Sequence, residues 1–167
     1  MKGIVTLAVA AAVLGLCSAE YPCPDGFVNL GSDPVEPKCL GFGGSSSGTW
    51  HSMLSICELL GGSLAKITGD MHNKVYQYIL DRPTMMDKCF WIGGNDEHME
   101  AHWVWVSDDT ELPLGGPHWD PCDREEPNGG FDENYLAICP DRYYFKDYPG
   151  DKLFHAICQV ETGAIYK

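Results

Sequence analysis

An acid-rich run lies in the second half of the chain, where residues 124–134 read REEPNGGFDEN. Four carboxylates and two asparagine amides fall within it, and its proline and glycines indicate a loop rather than a helix or strand. Such oxygens are the ligands that Ca²⁺ prefers, usually about six to eight of them at about 2.3–2.6 Å. The run therefore predicts either a calcium site or a solvated loop whose acids bind nothing.

Charge and the start of the chain narrow the class of protein. The formal net charge is −13, which excludes a nucleic-acid binder and disfavours anionic lipid, because affinity for both depends on Lys and Arg near phosphate. Residues 1–19 have a basic start, an apolar stretch and small residues, so they predict a secretory signal peptide cut after Ala19. No later stretch is long and apolar enough to span a membrane. We expect residues 20–167 to form one secreted, extracellular domain.

Catalytic patterns are weak. His98 and His102 are four residues apart in HMEAH, but this is not an H-E-x-x-H zinc motif and it falls between predicted strands. No serine lies in a G-x-S-x-G context. The carboxylates fit calcium better than a glycosidase pair. The sequence therefore predicts a binding protein and not an enzyme.

The elements that must position the loop are two helices and several short strands. A helix is predicted from Thr49 to Gly61-Gly62, and a second from Asp70 to a point before Pro83. Aromatic and β-branched runs follow and predict antiparallel strands: CFWIGG, HWVWV, NYLAIC, YYF and LFHAICQVE. Residues 107–134 have little apolar periodicity and predict a long ordered loop. The fold class is α+β.

Cysteine usage fits an oxidising compartment. Of eight cysteines, Cys17 leaves with the signal peptide, so seven remain. They predict three disulfides and one odd thiol. Spacing alone does not fix the pairing.

In order along the chain, CPDGF, KCLGF, TWHSMLSICELLGGSLAKI, FWIGGND, EEPN and HAICQVE resemble the C-type lectin-like domain family, particularly its small secreted invertebrate lectins with an EPN motif. The resemblance covers residues 23–161 and implies disulfides Cys57–Cys158 and Cys23–Cys39. The family's further disulfide beneath the binding loop is missing, since its two positions are Tyr135 and Gly150.

Cys89, Cys122 and Cys139 are additional to the family pattern. If the strands that carry Cys89 and Cys139 are antiparallel neighbours, as the family fold implies, those two ends meet, and we favour Cys89–Cys139. The rival pairing is Cys122–Cys139. An odd Cys122 would be available to link a homodimer.

The resemblance also implies a calcium ion that itself binds sugar, with a cis bond before Pro127 turning its neighbours toward one point. EPN favours mannose-type glycans, and Trp119 in the same loop is expected to flank the sugar. The implied calcium ligands of this site are Glu126, Asn128, Glu133 and Asp147. The implied sugar-binding side chains are Glu126, Asn128, Glu133 and Trp119.

One residue departs from this pattern. Lys146 replaces an asparagine ligand of the family, and an ammonium group cannot coordinate calcium. Either Lys146 swings to solvent and leaves Glu126, Asn128, Glu133 and Asp147 as ligands, or the site is weakened or lost. A second calcium site is implied at Asp96, Glu100 and Asn134 with Glu133 nearby, although Gly129 stands where an acid is often found.

These observations predict a secreted, calcium-dependent lectin that recognises mannose-type glycans on microbial surfaces in innate immunity. The alternative is a calcium-independent protein-interaction module on the same fold, with Lys146 marking a degenerate sugar site.

Overall fold

The computed structural model describes residues 23–32, 37–122 and 125–161. The predicted signal peptide lies outside the described residues. Among the residues that are described, no helix has the length and apolar character needed to cross a bilayer.

Both predicted helices are present. Helix α1 spans Trp50–Leu59, and the Thr49 side chain caps it by accepting a hydrogen bond from the Ser52 amide. Helix α2 spans Met71–Leu80. Its buried residues are His72, Val75 and Ile79, so a histidine shares the inward face with two aliphatic side chains.

In the described residues, eight short strands and a 3₁₀ helix at Gly130–Asp132 form the rest of the regular structure. In chain order the strands are β1 (Phe27–Asn29), β2 (Cys39–Phe42), β3 (Gly62–Leu64), β4 (Phe90–Asn95), β5 (Val104–Trp105), β6 (Tyr135–Ile138), β7 (Phe145–Tyr148) and β8 (His155–Val160). The order across the sheet is β1-β2-β8-β4-β6-β7, with β3 on β8 and β5 on β4. All pairs are antiparallel except β4 with β8, which are parallel. The α+β class is confirmed.

One strand begins later than its sequence pattern predicts. The run YYF covers residues 143–145, but β7 begins at Phe145 and continues through Lys146 and Asp147. Tyr143 has a φ of 55°, which belongs to a turn and not to a strand. The consequence is that Lys146 and Asp147 lie on a rigid strand at the end of the sheet.

The three disulfides of the structure are the pairs favoured from the sequence: Cys23–Cys39, Cys57–Cys158 and Cys89–Cys139. The third forms because β4 and β6 run antiparallel with Phe90 opposite Ile138, which brings the cysteines that flank them together. Among the described cysteines, Cys122 alone has a free thiol.

An aromatic contact stands where the family would have its further disulfide. A Cβ atom built on Gly150 would lie 2.5 Å from Cε2 of Tyr135, so the tyrosine ring covers the glycine directly. The same ring packs 5.0 Å from Trp50 between centroids. The two positions remain in contact, and a ring on a glycine takes the place of the covalent link.

Candidate functional site

The long loop is fixed to β7 by backbone hydrogen bonds. The Phe145 amide donates to the His118 carbonyl at 2.8 Å, and the Asp120 amide donates to the Phe145 carbonyl at 3.1 Å. The Glu126 amide then donates to the Asp120 carbonyl at 3.1 Å. This chain of contacts brings the EPN motif beside the strand that carries Asp147.

Asp147 is the anchor of the motif. Its carboxylate accepts hydrogen bonds from the Asn128 amide at 3.1 Å and from the Gly129 amide at 2.8 Å. The Glu126–Pro127 peptide bond is cis, as the resemblance implies. Asp147 is only 4% exposed, so the motif folds over a buried carboxylate.

Glu126 lies against this carboxylate. Burial, a side-chain hydrogen bond to Asp147 and the charge of Asp147 raise the pKa of Glu126 to about 8, against a smaller opposing effect of Lys146. The Oε2 atom of Glu126 is buried without a hydrogen-bond partner. A buried carboxylate oxygen without a partner costs free energy, of order 1–3 kcal/mol, that a bound cation would recover.

Glu133 is a further carboxylate of this acidic group, since the charge of Asp147 acts on it. A Cβ atom on Gly129 would overlap Cβ, Cγ and Oε2 of Glu133. The glutamate side chain therefore occupies the space that a residue with a side chain would fill at position 129. Burial and then the charge of Asp147 raise the pKa of Glu133.

Lys146 is held by an ion pair. Its ammonium nitrogen lies 3.0 Å from Oδ2 of Asp120, and this contact raises the pKa of Lys146. Burial alone would raise the pKa of Asp120, but the Cys122 amide and Lys146 hold it below its usual value. The lysine is thus directed to Asp120, an arrangement that neither alternative considered from the sequence included.

The residues of the second predicted calcium site also lie together. Asp96 is 4% exposed, and its Oδ2 accepts a hydrogen bond from the Ala101 amide at 2.9 Å. Its Oδ1 and the Oε2 of Glu100 are both buried without partners. The Asp96 amide donates to the Asn134 carbonyl at 3.2 Å, which joins this turn to the loop before β6.

Electrostatics connect the two groups of acids. Burial raises the pKa of Asp96 to about 6, and the charges of Glu100 and Asp147 add to the effect. Asp147 therefore acts on the carboxylates of both predicted sites. Among the described side chains, the buried polar atoms without a partner belong to Asp96, Glu100 and Glu126, and all three are predicted calcium ligands.

The acids do not form a closed cage. No group of three or more His, Cys, Asp or Glu side chains in the described ranges converges on a single metal position. The residues nonetheless fit a calcium ion in chemistry, because they supply hard oxygen donors and unpaired buried carboxylate atoms.

The prediction for Trp119 needs correction. Its side chain is 3% exposed, its ring packs 5.0 Å from that of Trp103, and its indole nitrogen donates to the Pro113 carbonyl at 3.0 Å. A buried, satisfied indole offers no face to a sugar. Its burial follows from the bridge that pairs Trp119 with Phe145 of β7.

Two features of the site were not found in the sequence. Asp120 lies in WDPC and has no role in the sequence-based prediction, although it follows a tryptophan, and both side chains are buried. His72 was not assigned a role, although its spacing to Val75 and Ile79 in α2 places it on the buried face.

Comparison with known proteins identifies the family. Residues 46–160 match the family model described as Lectin C-type domain. The match covers more than half of the chain, and the chain therefore belongs to the C-type lectin domain family, a carbohydrate-binding family whose members are generally non-enzymatic binding proteins.

Individual relatives are distant. The perlucin-like protein of Mytilus galloprovincialis is 27% identical over 79% of this chain and 79% of its own length. The carbohydrate-recognition domain of the mouse scavenger receptor C-type lectin superposes with a TM-score of 0.66 at 19% identity, covering 83% of this chain and 98% of that chain. A calcium-independent type II antifreeze protein superposes with a TM-score of 0.64 at 24% identity, covering 83% and 94%. The two structural likenesses show the fold alone.

Proposed function

We propose that this protein is a secreted, calcium-dependent lectin for mannose-type glycans, and that it recognises sugars on microbial surfaces in innate immunity. The observation that carries the proposal is the buried, unpaired Oε2 of Glu126 beside Asp147. The direction of Lys146 toward Asp120 supports it, because the ammonium is paired elsewhere.

The proposed ligands of the sugar-binding ion are Glu126, Asn128, Glu133 and Asp147. Calcium, when bound, supplies direct coordination of two neighbouring sugar hydroxyls. Glu126 then accepts a hydrogen bond from one hydroxyl, and the Asn128 side-chain amide donates to the other. By resemblance to the family motif, this order of acceptor and donor favours equatorial 3- and 4-hydroxyls, as in mannose.

A second ion at Asp96, Glu100 and Asn134 would brace the same loop. Its support is the pair of unpaired buried oxygens on Asp96 and Glu100. The proposal further includes cleavage of residues 1–19 and a single extracellular domain over residues 20–167. A shallow site binds one sugar weakly, so a homodimer through Cys122 would add avidity.

The second candidate function is a calcium-independent interaction module. A specific observation favours it: the charge of Lys146 reaches Glu126 and partly offsets the rise in its pKa that burial and Asp147 cause. In this case the ammonium stabilises the carboxylates without calcium, and the loop binds a protein partner.

Retention on immobilised mannan separates the two functions. The lectin is retained in calcium and elutes with EDTA, and Glu126→Gln abolishes retention by removing a charge with little change in shape. Glu125→Gln is the matched control, because Glu125 is the residue next to Glu126 and is exposed. This variant should be retained like the wild type. No retention in calcium, or retention that EDTA does not affect, would overturn the lectin proposal.

A further inference from the structure

A pair of histidines lies on the side of Phe145 that faces α2, and no function described above uses it. Nδ1 of His72 lies 3.0 Å from Nδ1 of His118. His72 comes from α2 and is 6% exposed, while His118 comes from the long loop. Both rings pack on Phe145, at centroid distances of 5.1 and 5.3 Å.

The hydrogen bonds of His72 fix where its lone pair points. Nε2 of His72 lies 2.6 Å from the carbonyl oxygen of Tyr143. A carbonyl only accepts, so Nε2 carries the hydrogen and the neutral ring keeps its lone pair at Nδ1, directed at His118. A histidine whose second nitrogen donates to a backbone carbonyl is the usual arrangement of a metal ligand.

The distance between the two nitrogens suits a shared metal ion. Two imidazole nitrogens that lie about 2.0–2.1 Å from zinc, with an angle of about 90–110° at the ion, are about 2.8–3.4 Å apart. The observed 3.0 Å falls within that range. The pair can therefore receive an ion once the hydrogen between the nitrogens moves to Nε2 of His118 and both rings tilt from their hydrogen-bonded orientation, so that the two lone pairs meet at the ion.

Both imidazole rings favour the neutral form that binds metal ions. Burial lowers the pKa of His72 despite its hydrogen bond to Tyr143, and burial together with the charge of His72 lowers the pKa of His118. Metal ions bind the neutral imidazole, so at neutral pH no proton has to be displaced from a charged ring.

An open groove supplies the remaining coordination positions. A cavity of about 710 Å³ borders both histidines and is lined in addition by polar side chains, including Asp70, Asn73 and Asp141. Arg142 also lines it, but its guanidinium is 3.2 Å from the Cys122 sulfur. Water in this groove can complete the shell of an ion, and the acids favour positive charge there.

We propose that His72 and His118 bind a divalent transition-metal ion of the zinc type through their Nδ1 atoms, at a site separate from the calcium loop. Two protein ligands leave at least two positions for water or for an exogenous ligand in the groove. Imidazole selects zinc-type ions over calcium, because calcium prefers oxygen donors. The ion would link the long loop to α2 at His118, which is two residues before Asp120.

The test is a zinc titration of the full mature chain by calorimetry in saturating calcium. It uses a Cys122→Ser background, so that the thiol does not compete. We expect one equivalent of zinc, with affinity at least tenfold weaker in His118→Ala. The matched control is His102→Ala, since His98 and His102 are an exposed pair four residues apart, and this variant should bind as the parent does.

A second readout does not depend on a variant. Zinc should shift the Nδ1 resonances of His72 and His118 in ¹⁵N spectra of the parent protein, and a fold defect in His118→Ala cannot mimic this result. No zinc binding, equal affinity in His118→Ala, or shifts confined to His98 and His102 would each overturn the proposal.

Discussion

Replacing Asp120 with asparagine should weaken calcium binding, although Asp120 is not proposed as a calcium ligand. Asp120 holds the Lys146 ammonium at 3.0 Å. Asparagine keeps an oxygen that can still accept the hydrogen bond from the Cys122 amide, so the loop geometry is retained. Without its partner, Lys146 becomes available to Glu126 and Asp147, where it competes with the ion.

The size of the effect follows from the ion pair. At 3.0 Å and an effective dielectric constant of about 40, two unit charges attract by roughly 3 kcal/mol. The Lys146 and Asp120 side chains are 29% and 10% exposed, and solvent screening and side-chain entropy reduce the net value to about 1–2 kcal/mol. Calcium binding should therefore weaken by about 5- to 30-fold.

The assay is calorimetric titration of calcium into metal-free protein at neutral pH, with Lys146→Ala completing a double-mutant cycle. The loss caused by Asp120→Asn should be at least threefold smaller when Lys146 is alanine, because no ammonium is then released. Equal calcium affinity in Asp120→Asn and wild type would refute the reasoning. An equal loss in both backgrounds would show that only the charge of Asp120 matters.

Three other changes have expected outcomes. Gly150→Ala should destabilise the fold by about 1–3 kcal/mol, because its Cβ would lie 2.5 Å from Tyr135; a melting temperature equal to wild type contradicts this. In NMR titrations with chelator present, His72 and His118 should protonate below the usual value of about 6.5. Their contribution to stability is therefore full above that pH and is lost as pH falls toward their lowered pKa, so titration at or above 6.5 would be a contrary result. Oxidised glutathione should convert two Cys122 thiols to one intermolecular disulfide, releasing two reduced glutathiones; non-reducing electrophoresis should show a dimer that Cys122→Ser lacks.

The sequence predicted most of the fold because its signals are local. Thr49 before an apolar helical face indicates the start of α1. The Cys89–Cys139 pairing is favoured only because the resemblance to the family fold implies that the two strands are antiparallel neighbours. The resemblance to the family implies that Tyr135 and Gly150 are the sites of a missing disulfide. The tyrosine ring covers the glycine because of how the two residues pack. Sequence spacing alone does not predict this contact.

The sequence indicated the acidic residues of the candidate site but not the ion pair between Lys146 and Asp120. Glu126 and Asp147 are close because the loop is bonded to β7, as the motif implied. The ion pair of Lys146 with Asp120 joins residues 26 positions apart, and no periodicity signals such a contact. The prediction that Trp119 flanks the sugar is wrong for the same reason, because its bridge to Phe145 buries the side chain.

A crystal structure of the mature protein grown with calcium and a mannoside tests the central claim most directly. The account predicts a calcium ion within about 2.3–2.6 Å of carboxylate oxygens from Glu126 and Asp147, two sugar hydroxyls on that ion, and Lys146 still paired with Asp120. An ammonium of Lys146 in contact with Glu126 and Asp147, with no ion between these carboxylates, would contradict it.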